Sequence, residues 1–471
     1  MPKLTRILSR LMALALLLTL SLCYNVQVLQ ASSPTLKLTG PRSVAASSGS
    51  VEGVVEIPVG TWLTVTDERY NTLPVFNPST ASWQKGVVLR GVNACECSVF
   101  GALDVDSVKV KRASDSAEMQ RGKDYDFDNS SGAIGRLEGG SISATDAVLV
   151  SYRCAESRID SIVVNDDNSV TLLQGEPRVL MPEPALLKSG QRRLATVMVS
   201  RETMNELNDE ALFPIDSVFA EEENLLDASV YLENLSRLKV EGESEFAATS
   251  DYGAAKKFLP KTWAKLTSGQ KIRILAWGDS VTACGFLPDS DRWQIKFVER
   301  LQKLFPDAEI ELLTEAWGGR NSDTYRNEPP GSPKNYQEKV LDLHPDLIIS
   351  EFVNDAFMTE EMVQIRYGQM LEDFQNIGAE WIIVGPHYVR PDWMQLTSQK
   401  GIDNDPRQLV AGLRTFSVNK SVPLAETPYM YGKLWRSGIP YLTLMTNNIN
   451  HPNAFGMELF AAALERLFIV K

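Results

Sequence analysis

Residues 271–286 read KIRILAWGDSVTACGF. The run Ile272-Arg273-Ile274-Leu275-Ala276-Trp277 is short, partly β-branched and almost continuously apolar. That suits a strand buried on both faces of a parallel sheet, where alternation is not needed. The run stops at Gly278-Asp279-Ser280. Glycine permits a sharp turn there. The serine then falls at the carboxyl end of a central strand, the edge where open α/β sheets hold their ligands. Alone, the tripeptide also reads as an ordinary polar turn, so its neighbours decide.

Working outward, strands and helices alternate. A helix over residues 256–266 leads in. Trp293, Phe297, Leu301 and Leu304 share a helical spacing that Pro306 ends. The strand Ile310-Glu311-Leu312-Leu313 follows and runs towards Gly318-Gly319. Leu347-Ile348-Ile349-Ser350 is another strand, leading to Glu351-Phe352-Val353-Asn354-Asp355. Residues 360–377 predict a helix with Met362, Ile365, Leu371 and Phe374 on its apolar side, and Trp381-Ile382-Ile383-Val384 the next strand. Asp405-Pro406 predicts an N-cap and first turn for a helix through Phe416. The apolar Tyr441-Leu442-Thr443-Leu444 precedes Asn450-His451-Pro452-Asn453, and a helix from 454 to about 468 closes the chain. This order predicts an α/β fold, a parallel sheet with helices on both faces.

Four blocks in this half resemble the SGNH (GDSL-type) hydrolase family, in the family's order and at the ends of predicted strands. They are Gly278-Asp279-Ser280, Gly318-Gly319, Val353-Asn354-Asp355 and Asn450-His451-Pro452-Asn453. The resemblance covers about residues 266–471 and implies a flavodoxin-like sheet. It also implies Ser280 as nucleophile, His451 as base, and an oxyanion hole of Ser280, Gly319 and Asn354. The chemistry needs these types. A serine hydroxyl attacks only when a base takes its proton, and an imidazole titrates in the right range. A tetrahedral intermediate carries an oxyanion that needs preorganised donors.

Two positions depart from the family. Phe352 stands where a glycine is usual, two residues before Asn354. Asn448 stands where the family has the aspartate of its triad, three residues before His451. An asparagine can orient an imidazole but cannot offset its charge. The choices are a Ser280–His451 pair helped by Asn448 or a backbone carbonyl, or another acid; Glu351 and Asp355 are near in sequence. His387 reads as structural or pocket-lining, His344 as a surface turn residue, and Cys284 as a small buried apolar group.

Residues 32–200 differ in character. Short period-two runs, among them Trp62-Leu63-Thr64-Val65-Thr66 and Ala147-Val148-Leu149-Val150, are punctuated by Gly, Asn, Asp and Pro. They predict an all-β, sandwich-like accessory domain. Trp62, Tyr70, Trp83 and Tyr125 suit its core, with a sugar-stacking surface as the alternative. Asp124, Asp126 and Asp128 alternate, which reads as a solvated face in preference to a calcium site. Residues 201–250 read as a helical linker, with helical composition at 204–212 and 225–238. Residues 251–471 then form the hydrolase domain.

Residues 1–31 read as a signal peptide: Lys3, Arg6 and Arg10 precede an apolar core, and Ala31 precedes Ser32-Ser33-Pro34. Cys23 does not suggest a lipid anchor, because Leu22 sits where a small residue is required. The formal net charge of −13 becomes −16 when these three basic residues leave, since no acid lies among the first 31. Such a chain repels phosphates, and no nucleic-acid partner is expected. No membrane span is expected after cleavage, and neither metal nor cofactor. Outside the cytoplasm Cys154 could pair with Cys95 or Cys97.

The expectation is therefore a secreted or periplasmic serine esterase. It would hydrolyse short acyl, above all acetyl, esters of a small molecule or polysaccharide. A lipolytic esterase or lysophospholipase of the same fold is the alternative. So is an exported binding protein with a degenerate hydrolase domain.

Overall fold

The computed structural model describes residues 34–95, 97–227, 247–396, 405–436 and 438–470. The signal-peptide reading of residues 1–31 and most of the helix expected at 225–238 fall outside them. Among the described residues no helix is long and apolar enough to cross a membrane.

The second half is built on five strands: β1 (Lys271–Gly278), β2 (Glu309–Ala316), β3 (Leu347–Glu351), β4 (Glu380–Val384) and β5 (Leu424–Ala425). Their spatial order is β2-β1-β3-β4-β5, and every neighbouring pair is parallel. The helices are α1 (Pro260–Thr267), α2 (Trp293–Leu304), α3 (Glu360–Asn376), α4 (Gln408–Lys420), α5 (Thr427–Arg436) and α6 (Ala454–Phe468). The apolar run of β1 supplies two cores at once, because successive side chains of a strand point to opposite faces. Ile272, Ile274 and Ala276 join Trp293, Phe297 and Leu301 of α2 and the apolar side of α6. Leu275 and Trp277 join Val363, Tyr367 and Phe374 of α3 and Leu409 and Phe416 of α4. This is the flavodoxin-like order. The connection reverses direction at β1, so a crevice opens at its carboxyl end between β2 and β3.

Some local expectations shift. The buried side of α3 is Val363, Tyr367, Met370 and Phe374, while Ile365 is exposed. One residue of rotation brings the bulkier aromatics inward. Asp405 does not cap α4; it forms a buried ion pair with Arg407, the residue that precedes the helix. The two-residue strand β5 is too short to signal itself in the sequence.

The first half is all-β and holds two small cores. In one, the meander Thr35–Leu38, Ser43–Ser48 and Val51–Glu56 shares its core with a sheet ordered Val170–Leu173, Arg158–Val164, Arg192–Val199, Leu212–Pro214. Between these segments in sequence lies the second unit. Its main sheet is ordered Trp62–Tyr70, Val148–Ala155, Lys109–Arg112, Glu118–Met119. No helix forms at residues 204–212. A 3-10 turn at Asp209–Ala211 leads into the strand Leu212–Pro214, so the β-rich architecture continues past residue 200. Pairing with Arg192–Val199 buries Leu212 and Phe213 and overrides the local helical composition.

Tyr70 and Tyr125 are core residues. Asp124 and Asp128 are not a solvated face. Asp124 is buried and accepts the Gln120 and Ser141 N–H groups, and Asp128 holds Lys85 and Ser82. Cys154 is a buried thiol whose Sγ lies 3.4 Å from the Gly91 carbonyl, and it forms no disulfide.

Candidate active site

The site begins with the glycine at the end of β1. Gly278 does not lie in the left-handed region, so it is not needed for a sharp turn. It is needed for space: a Cβ there would sit 2.2 Å from Thr282 Oγ1 and 2.3 Å from the Glu351 carbonyl oxygen. Asp279 caps the single helical turn Ser280–Ala283, its Oδ1 accepting the Val281 N–H at 3.0 Å. Its other oxygen accepts the Asn354 N–H at 2.9 Å. This one carboxyl joins the serine turn to the loop after β3. Burial raises its pKa from 3.8 to about 7.

Two more buried carboxyls extend the floor. Glu351 accepts the Thr282 hydroxyl at 3.0 Å and the Val353 N–H at 3.1 Å, and burial raises its pKa well above the ordinary value. Asp355 accepts the Ser322 N–H and the Tyr367 hydroxyl, each at 2.9 Å, and burial raises it to about 6. Both were candidates for the missing acid. Their oxygens instead bind the loops together beneath the site.

The second block closes over the serine. The Trp317 N–H donates to the Gly278 carbonyl at 3.0 Å, and a Cβ on Gly318 would lie 3.7 Å from that of Ser280. Gly319 has φ +73°, which favours glycine. The Asn354 side-chain amide donates to the Arg320 carbonyl at 3.2 Å, which holds it against this loop. Phe352, the departure from the family pattern, packs edge-on against Trp277, with ring centroids 4.7 Å apart.

His451 arrives on the loop before α6. Its Nε2 lies 3.1 Å from Ser280 Oγ, and both residues are buried. Burial lowers the imidazole pKa from 6.5 to about 4. Phe286 stacks on the ring, with centroids 4.4 Å apart and planes 5° from parallel. The loop is shaped by Asn447, whose Oδ1 accepts the N–H groups of Ile449, Asn450 and His451 at 3.0 Å each. Sequence reasoning missed Asn447; a polar Asn-Asn pair just before the histidine was its only signal.

Asn448 does not orient the imidazole. Its backbone takes φ +56°, and its Oδ1 is buried with no partner among the described residues. It lines a separate cleft of about 360 Å³ together with Arg201, Arg390 and Tyr441. His387 is structural: its Nε2 lies 2.8 Å from the Asn450 carbonyl, and burial lowers its pKa to about 3. His344 sits in an exposed turn. Burial pushes the Cys284 thiol up to about 12, so it is not a competing nucleophile. Among the described residues no three His, Cys, Asp or Glu side chains cluster to hold a metal.

A cleft of about 620 Å³ opens beside the histidine loop, lined by Trp83, Cys95, Cys97, Met181, Phe286 and Thr446. Of these, Trp83, Cys95, Cys97 and Met181 come from the β-rich half.

No family model and no curated protein matches the chain. Solved structures do. One is a two-domain esterase active on acetylated mannans: identity 18%, TM-score 0.35, covering 44% of this chain and 50% of that one. The match thus spans half the length of that protein. Another is an acetylxylan esterase from Geobacillus stearothermophilus: identity 15%, TM-score 0.32, covering 41% and 91%. A third is a GDSL-like lipase from Parabacteroides merdae: identity 16%, TM-score 0.33, covering 41% and 93%. Each of these likenesses extends over less than half of this chain.

Proposed function

We propose that this protein is an exported serine esterase that hydrolyses short acyl, foremost acetyl, esters of carbohydrate. The observation that carries the reading is the 3.1 Å approach of His451 Nε2 to Ser280 Oγ beside the Gly319 and Asn354 loops. His451 takes the serine proton as the oxygen attacks the ester carbonyl. The oxyanion meets the Ser280 and Gly319 N–H groups and the Asn354 amide. The alcohol leaves with the proton from His451, and water then releases the acid by the same steps reversed. The carbohydrate part is supported by the apolar run of the leader and by the β-rich wall of the cleft, where Trp83 offers a flat ring.

A second reading is lipolytic. Leu180, Met181, Phe286 and Leu287 give the same cleft an apolar side that suits a longer chain. Hydrolysis of p-nitrophenyl acetate, butyrate and octanoate separates the two. Rates that fall from acetate to octanoate support the deacetylase, and rates that rise support the lipolytic enzyme.

A further inference from the structure

Ser280 and Phe286 lie on one short segment. The helical turn Ser280–Ala283 ends at Cys284, whose backbone is left-handed at φ +44° and whose side chain is buried in the core beneath α2 and α6. The Gln294 side-chain amide of α2 donates to the Thr282 carbonyl at 3.0 Å and pins the turn. The chain passes Gly285 and lays the Phe286 ring on the face of the His451 imidazole, with centroids 4.4 Å apart and planes 5° from parallel. The two ends of the segment thus meet one imidazole: the Ser280 hydroxyl at Nε2, and Phe286 across a face.

The His451 backbone is clamped separately. Its N–H donates to Asn447 Oδ1 at 3.0 Å, and its carbonyl accepts the Thr446 N–H at 2.7 Å and the Thr446 hydroxyl at 3.0 Å. Such a clamp places the Cα but not the ring, since χ2 of histidine has a broad, soft well. A contact at Nε2 alone lets the ring plane rock about that point. A parallel ring against its face removes this freedom. Phe286 is half-buried and lines the cleft of about 620 Å³, and the imidazole it covers is buried.

We propose that Phe286 is a positioning residue for the hydrolytic base: its flat ring fixes the plane of the His451 imidazole and keeps water from that face. It acts through His451 and takes no part in the bond changes. Burial is what lowers the His451 pKa to about 4, and the Phe286 ring supplies part of that burial. The other titratable groups of this region are His387, neutral above about pH 3 with Arg407 bonded to its carbonyl, the carboxyls of Asp279, Glu351 and Asp355 beneath the serine turn, and the Cys95 and Cys97 thiols on the cleft wall. The kinetic consequence rests on the esterase reading; the titration of the ring does not.

The chain has three histidines, so ¹⁵N-histidine labelling of the full-length protein gives a tractable spectrum, in which His451→Gln assigns the signal. In the unaltered protein and in Phe286→Tyr, which keeps the stack, His451 should titrate near pH 4. In Phe286→Ala it should titrate closer to 6.5, and the acid limb of kcat/KM for p-nitrophenyl acetate should move with it. Phe286→Leu keeps apolar cover but not the plane. It should hold the titration near 4 yet lower kcat by roughly tenfold or more, with KM within about threefold. If Phe286→Ala does not fold, Phe286→Leu carries the test. An unmoved titration in Phe286→Ala would overturn the proposal. So would full kcat in Phe286→Leu, or a rise in KM alone, which would make Phe286 a substrate-binding residue. Absence of ester turnover in the unaltered protein would sink the esterase reading, while the titration shift would still decide whether Phe286 shields the ring.

Discussion

In the proposed mechanism Asn354 carries one of the three oxyanion donors, and it also ties two loops together. Truncation to alanine removes the side-chain amide but leaves the backbone N–H that Asp279 holds. Asn354→Ala should therefore lower kcat by about 10²–10³ with little change in KM. Steady-state kinetics on an acetyl ester checks this, and a rise in KM alone would assign Asn354 to ground-state binding. His451 makes a second residue-scale prediction. Its pKa is lowered to about 4, so the acid limb of kcat/KM should lie near pH 4 and not near the ordinary 6.5. A third concerns Asp355. The folded carboxyl keeps its proton up to about pH 6, whereas the unfolded one loses it near 3.8. Its contribution to stability is therefore present below 3.8 and lost as pH rises through 6. Asp355→Asn has no such loss. Denaturant unfolding should show the variant gaining about 3 kcal/mol on the unaltered protein across that window. A difference that does not change with pH would mean that Asp355 ionises normally. Ser280, Asn354 and His451 stood out in the sequence because each is the only residue of its type in its block, and Gly319 because it is the second of a glycine pair after a predicted strand. Asn448 misled because spacing places a residue along the chain but not its χ angles. A backbone in the left-handed region turned the side chain elsewhere.

At the scale of elements, β1 and the histidine loop do most to place the chemistry. Trp277 is fully buried and meets Tyr325, Tyr336, Phe352 and Phe374. Trp277→Ala should cost about 3–5 kcal/mol, measured by urea unfolding. A cost below about 1 kcal/mol would mean that this aromatic cluster repacks. In the histidine loop, Asn447→Ala leaves three backbone N–H groups without their acceptor. Each such loss costs about 1–3 kcal/mol when the group is buried. Turnover should fall with the melting temperature, and His451→Ala should show the first without the second. The strands β1 to β4 and the helix α6 were readable from apolar runs and helical spacing. The β5 strand was not, since two residues carry no period. The helix expected at 204–212 failed because cross-strand pairing outweighed local propensity.

At the scale of the whole molecule, two architectures share one site. The α/β half carries Ser280 and the Gly319 and Asn354 loops, and the β-rich half walls the cleft and embeds Ile449. The halves are also joined elsewhere: the Thr196 hydroxyl donates to the Gly438 carbonyl at 2.7 Å, and the Arg390 guanidinium lies 4.6 Å from the Phe100 ring centre. The sequence showed two regions of different period, but not that the first folds around two cores or reaches the loop of His451. Contacts between distant segments leave no local signature. The most direct test of the central claim is hydrolysis of p-nitrophenyl acetate by the purified protein beside Ser280→Ala at matched folded concentration. The account predicts turnover in the first and its loss by several orders of magnitude in the second, with an unchanged circular dichroism spectrum. Equal turnover in both would contradict it.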